Sequence, residues 1–109
     1  MRMGWGVGGN DAELVLRSLP SLGLRYAAQD AAARTWARWW QARPECVRVL
    51  HPAFAGSPGH AHWKAHCRAA AGLFSVVLEP SFTQARVDAF LDALRLVKLG
   101  YSWAGPLSL

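Results

Sequence analysis

The densest group of metal-ligating side chains in the sequence is His60, His62, His66 and Cys67. On a helix His62 and His66 share a face, and neutral imidazole with thiolate is a good zinc set. A closed zinc site draws ligands from two separated segments, however, and only His51 and Cys46 are available as remote candidates. The plainer reading makes these histidines surface or turn residues. The segment R-T-W-A-R-W-W-Q-A-R, residues 34–43, interleaves arginine with tryptophan, a mixture that can grip phosphates and stack bases. It reads equally as an amphipathic helix with its tryptophans turned inward and Arg34 and Arg38 facing water, because arginine stems cover apolar surface well. The glycines of G-W-G-V-G-G lack both the G-K-[ST] ending and a preceding strand, so they mark a loop rather than a phosphate cradle. No nucleophile-elbow motif accompanies the serines and histidines. The side-chain amines number two, Lys64 and Lys98.

The composition sets the bounds for that chemistry. At 109 residues the chain is one domain's worth of sequence with a modest core. A hydrophobic fraction of 52% is high for so small a soluble protein and points to an exposed patch meant for a partner or another domain. The formal charge of +5, with arginines spread along the chain, permits anionic partners without demanding them. The longest nearly apolar run, residues 69–78, is interrupted by Ser75, whereas a membrane span needs about 20 residues. The first residues carry a charge but no apolar leader segment. Cys46 and Cys67 form no C-x-x-C pair, so a reducing, cytoplasmic setting is expected.

Periodicity supplies the elements. Asn10 and Glu13 have N-cap spacing, and Ala12, Val15, Leu16 and Leu19 follow helical spacing until Pro20 breaks or kinks the run. A longer helix is expected over residues 22–42, with Leu24, Ala28, Ala31 and Thr35 on one face, Trp36 and Trp40 on another, and Pro44 forbidding continuation. Residues 45–50 alternate as a short strand, the turn-rich H-P-A-F-A-G-S-P-G-H follows, and residues 60–67 read as a short helix. Residues 72–79 are apolar on both faces, the pattern of a central strand under helices. Ser81 and Gln84 have capping-box spacing before a helix lined by Val87, Phe90, Leu91 and Leu94, and residues 97–103 read as a last strand. The order argues for an α+β fold: a small, mostly antiparallel sheet with helices packed on one face.

Several stretches, taken in order, resemble the carboxyl-terminal third of cystathionine β-lyases, within the cysteine and methionine metabolism family of pyridoxal-phosphate enzymes. They are G-V-G-G-N-D-A-E-L-V-L-R-S-L-P-S-L-G-L-R-Y (residues 6–26), A-R-P-E-C-V-R-V-L-H-P-A-F (42–54) and S-P-G-H-A-H-W-K (57–64). G-L-F-S-V-V-L (72–78) and F-L-D-A-L-R-L-V-K-L-G-Y-S-W (90–103) complete the set. The resemblance implies the small carboxyl-terminal domain of a fold-type I enzyme over residues 45–109. Residues 1–44 would be the helical segment joining it to the large cofactor domain. It also implies that Tyr101, Ser102 and Trp103 line the substrate side, where an indole offers one donor and a flat wall.

The departures from the family pattern are as informative. The family commonly continues Y-S-W-G-G, and here Ala104 adds a methyl group at a position where the resemblance implies either close backbone approach or a positive φ. The T-G-A-type stretch near Cys67 is R-A-A-A, without its glycine. The cofactor lysine of the family lies in an S-x-T-K setting that neither Lys64 nor Lys98 matches, and the substrate-clamping arginine normally follows Y-S-W. A pyridoxal enzyme needs a lysine Schiff base. The expectation is therefore a truncated or split-gene lobe of a carbon–sulfur lyase, which holds no pyridoxal phosphate alone and does not by itself convert cystathionine to homocysteine, pyruvate and ammonia. Its expected partner is an upstream large-domain fragment or a second copy, with no membrane contact. The competing reading is a small basic Trp/Arg-rich module binding a protein or, less readily, nucleic acid through the Trp36–Trp40 face.

Overall fold

The computed structural model describes residues 6–101. Helix α1 (Gly9–Gln41) leads to strand β1 (Cys46–Leu50), helix α2 (His60–His66), strand β2 (Ser75–Leu78) and helix α3 (Gln84–Asp92). The strands pair antiparallel, Cys46 opposite Leu78 and Leu50 opposite Ser75, with an irregularity between Cys46 and Arg48. The Glu79 amide donating to the Glu45 carbonyl at 3.0 Å extends the ladder past its end. The α+β class and the antiparallel pairing follow the sequence expectation, and α1 packs against β1.

Residues 9–41 form one helix where the sequence pattern suggested two. At 33 residues it is about 50 Å long. Pro20 sits inside it on an exposed stretch, where water can satisfy the carbonyl that its missing N–H leaves free. The helix begins after Gly8 with no side-chain cap, so Asn10 is a helical residue and not the N-cap. It ends with the Ala42 amide shared between the Arg38 and Trp39 carbonyls, one residue before Arg43 and the Pro44 stop.

The packed face of α1 is not the face shared by Leu24, Ala28, Ala31 and Thr35. Ala33 and Ala37 are buried, with Asp30 and Trp40 half-buried beside them, whereas Leu24, Ala28, Ala31 and Thr35 face outward. Small side chains let the helix approach β1, where Val49 is the buried strand residue. Followed backward at intervals of three and four, the same stripe runs through Tyr26, Leu22, Leu19 and Val15. There it leaves the lobe: Leu22, Leu19 and Val15 are 48%, 49% and 56% exposed.

Three further expectations need correction. Strand β2 alternates between exposed and half-buried residues, so it is half of a two-stranded sheet with one covered face and not a central strand. Helix α3 starts after Thr83 without a side-chain cap, and Gln84 instead donates to Asp88 at 2.7 Å. Residues 97–101 carry no strand, and residues 102–103 of that expected element lie outside the described residues.

Left-handed backbone appears at Gly56 and Gly59 in the turn before α2, and at Ala71, whose φ is 57°. A Cβ in that region meets the adjoining carbonyl oxygen at a cost of about 1–2 kcal/mol, which glycine avoids. Ala71→Gly is expected to stabilise the chain by about 1 kcal/mol in chemical denaturation, after part of the relief is offset by a freer unfolded chain. Ala37→Leu, at a position with 0% exposure, is expected to cost about 1–3 kcal/mol in the same measurement through overpacking against β1.

Candidate functional site

The polar interior is built around Asp30 and the segment of residues 67–74. One oxygen of Asp30 accepts the Arg34 Nε–H at 2.8 Å, and the other accepts the Ala70 amide at 2.7 Å. Arg34 follows Asp30 by one helical turn, so α1 presents the pair ready-made. Next to it, the Ala69 carbonyl accepts the Tyr26 hydroxyl at 3.1 Å and the Trp63 indole N–H at 3.2 Å. The Arg34 guanidinium lies 5.8 Å from the centre of the Trp63 ring. Side chains from α1 and α2 thus hold both the carbonyl and the N–H of a single peptide group, Ala69–Ala70, just ahead of the strained Ala71. The bond from Arg34, helped by the Ala70 amide, holds the Asp30 carboxyl below the usual carboxylate range against the opposing effect of burial.

His51 occupies the centre of the neighbouring turn with 0% exposure. Its Nδ1 accepts the Ala53 amide at 3.2 Å, which assigns the ring proton to Nε2, and Nε2 is buried without a partner among the described residues. Phe54 stacks on the ring with centroids 4.5 Å apart, and the Ser57 hydroxyl accepts the His51 amide at 3.0 Å. Burial, and then the nearby Arg34 cation, push the imidazole below its ordinary range. The sequence offers a signal for Asp30–Arg34 in its i,i+4 spacing. Nothing in the H-P dipeptide at residue 51 marks the ring as an interior group.

The residues singled out from the sequence are dispersed. Tyr101 is fully exposed at the end of the segment after α3, and Ser102 and Trp103 lie outside the described residues. His60 Nδ1 donates to the Pro52 carbonyl at 2.8 Å and its ring stacks on Trp63, while His62, His66 and Cys67 are exposed. Among the described residues, no three His, Cys, Asp or Glu side chains converge as a metal site would require. In the arginine–tryptophan segment the amphipathic expectation holds only in part: Arg38 is exposed and Trp40 half-buried, but Trp36 and Trp39 are 58% and 47% exposed and Arg34 turns inward. The inner face has room only for Ala33 and Ala37, so two of the indoles move to the flank. There Trp36 and Trp39 meet edge to face at 5.7 Å, and Arg43 covers Trp39 at 5.0 Å.

The described residues do not fit a tethered pyridoxal phosphate. Lys64 stands on the exposed face of α2, and exposed Lys98 donates to the Leu94 carbonyl. Neither lines the open cleft beside Cys46, Arg48 and Ser57, nor the shallow apolar groove of Leu14, Val15, Leu19 and Leu22 on α1. An amine bathed in water lacks the enclosure that poises a Schiff-base lysine.

Comparison with known proteins adds a second line. The family described as Cys/Met metabolism PLP-dependent enzyme matches residues 1–109. A putative cystathionine beta-lyase of Rhizobium johnstonii is 44% identical over 92% of this chain and 26% of the relative. The cystathionine beta-lyase of Salmonella typhimurium is 38% identical over 98% of this chain and 27% of the relative. Among solved structures, cystathionine gamma synthase from Xanthomonas oryzae pv. oryzae superposes with a TM-score of 0.78 at 30% identity, over 88% of this chain and 24% of that one. The chain spans about a quarter of the length of the curated relatives it matches.

Asp30→Ala leaves the Ala70 amide and Arg34 without their acceptor and is expected to cost about 2–3 kcal/mol in denaturant unfolding. Glu13→Ala, which removes only the exposed 3.7 Å pair with Arg17, is expected to leave stability unchanged. Because the folded Asp30 carboxyl is the stronger acid, its contribution is complete above the unfolded carboxyl's ordinary value of about 3.9. It is lost as pH falls below that, toward the folded value.

Proposed function

Because this chain belongs to the Cys/Met metabolism family of pyridoxal-phosphate-dependent enzymes, we propose that it supplies the carboxyl-terminal lobe of a carbon–sulfur lyase acting on cystathionine. The carrying observation is identity to cystathionine beta-lyases over nearly the whole of this chain but only a quarter of theirs. The reaction proposed for the assembled enzyme is β-elimination to homocysteine, pyruvate and ammonia. Tyr101, Ser102 and Trp103 form the substrate-facing edge in this reading, and the cofactor-bearing lysine comes from a separate domain, in the same polypeptide or another. A cytoplasmic setting belongs to the same proposal and is supported by two free cysteines, of which Cys67 is exposed. Among the described residues no helix is long and apolar enough to cross a membrane.

Two structural observations support dependence on another domain. Both lysines face solvent, and the apolar stripe of α1 continues past the lobe with Val15, Leu19 and Leu22 uncovered. Such a face suits an interdomain contact of the usual size, roughly 600–1,500 Å². The second reading, a basic aromatic binding surface, is supported by the exposed Trp36 and Trp39 with Arg43 stacked on Trp39. Binding there would weaken steeply with salt, whereas burial of the α1 stripe would not.

In a direct test, purified chain is incubated with pyridoxal phosphate, passed through gel filtration and assayed with cystathionine. The chain alone is expected to retain no coloured cofactor and to release no pyruvate. A chimera in which it replaces the matching quarter of the Rhizobium johnstonii relative is expected to release pyruvate from cystathionine. Turnover by the chain alone would sink the dependence on a second domain, and an inert but folded, cofactor-loaded chimera would sink the assignment as a lyase lobe.

A further inference from the structure

The turn between β1 and α2 is organised by one titratable side chain. His51 presents three hydrogen-bonding groups to it: its amide donates to Ser57 Oγ, its carbonyl accepts the Phe54 amide at 2.9 Å, and Nδ1 accepts the Ala53 amide. The ring fills the space between Phe54, stacked at 4.5 Å, and Phe74, with centroids 6.2 Å apart. Among the described residues no protein group accepts the buried Nε2 proton. The charged groups facing this ring come from α1: Asp30, whose oxygens are already committed to Arg34 and Ala70, and the cations Arg34 and Arg38. Arg38 is itself held over Phe54 at 5.9 Å. Within the turn, His60 is fixed on the Pro52 carbonyl.

We propose that His51 is an acid-sensitive latch: a proton taken from solvent at Nδ1 breaks the bond from the Ala53 amide, places a buried cation beside Arg34 and Arg38, and releases residues 51–57 from α1. The neutral ring has a lone pair to give the Ala53 amide, whereas the imidazolium has two N–H donors and no acceptor. The Ala53 amide hydrogen and the new Nδ1–H then point at each other, the Nε2–H gains no protein acceptor, and the new charge has lost its hydration. Asp30 cannot offset this without giving up the bonds that hold the Ala70 segment. The open turn, in which the ring is hydrated, is the form that accepts the proton.

The direction of the effect follows from linkage. Burial makes the closed imidazole harder to protonate than the open one. The closed form is therefore at full strength above the open ring's ordinary value of about 6.5, and it weakens as pH falls from there toward the closed ring's lower value. Asp30 weakens the fold only at far more acid pH, so the two groups act in separate windows.

The test follows the His51 ring proton and the Ala53 amide by NMR in the full chain, alongside unfolding of the wild type and His51→Gln across pH. Glutamine carries an oxygen that can accept the Ala53 amide and does not titrate. Below about pH 6.5 the wild-type unfolding constant is expected to rise by up to tenfold per pH unit more than that of His51→Gln. The ring proton and the Ala53 amide of the wild type are expected to change together, at a midpoint below the ordinary imidazole value. Identical pH slopes in the two proteins would overturn the latch. So would a His51 ring that protonates near pH 6.5 while the Ala53 amide stays in place, and this reading decides the matter even where His51→Gln does not fold.

Discussion

Asp30 holds two partners with one carboxylate, the Arg34 guanidinium along its own helix and the Ala70 amide forty residues further on. A single ionised group thereby fixes both the rotation of α1 and the path of the chain that returns to β2. Both bonds are charge-assisted, the stronger kind, and the pair is only partly exposed, so solvent screening weakens it little. One turn further along the same stripe, Ala33 and Ala37 meet the sheet, and Val49 completes a very small apolar core. With so few buried apolar side chains, the polar ties carry much of the burden of specifying the arrangement. The bonds at Ala69 and Ala70 accordingly come from α1 and α2, and those at His51 from within its own turn.

Asymmetry along α1 links this architecture to function. The carboxyl-terminal half is anchored by Asp30, Ala33, Ala37 and Trp40, while the amino-terminal half offers the same stripe to nothing among the described residues. A helix with an apolar stripe gains most of its stability from what packs against it. Chemistry and packing therefore point the same way: the lobe has no enclosed amine, and its longest element has an uncovered seam. A cofactor-bearing domain would meet both needs, which is why the lyase reading is proposed for an assembly and not for this chain alone.

The sequence was most legible where local rules decide. The positions of β1, α2, β2 and α3 follow from alternation, helical spacing and turn residues, and family membership was visible in the ordered motifs of residues 6–103. It misled where tertiary geometry overrides pattern. Pro20 suggested a break or a kink, but α1 runs on through it on an exposed stretch, where water can satisfy the carbonyl that its missing N–H leaves free. Periodicity placed Leu24, Ala28, Ala31 and Thr35 on one face without saying which face packs, and close approach to β1 selects alanines at 33 and 37. The apolar run at 72–79 suggested a strand covered on both sides, although its second face stays open within this lobe. His51 was unreadable as an interior group because its burial depends on Phe54 and Phe74 closing from two separate segments.

Amide hydrogen exchange along α1 in the isolated chain tests the central claim most directly, because each half of the helix reports its own support. Residues 29–41 are expected to be protected and residues 10–24 to exchange orders of magnitude faster, the boundary falling near Tyr26 where the tie to Ala69 is made. Uniform protection from one end of the helix to the other would mean that α1 needs no further partner, and would contradict the account of this helix as anchored only along its carboxyl-terminal half, from Tyr26 to Trp40.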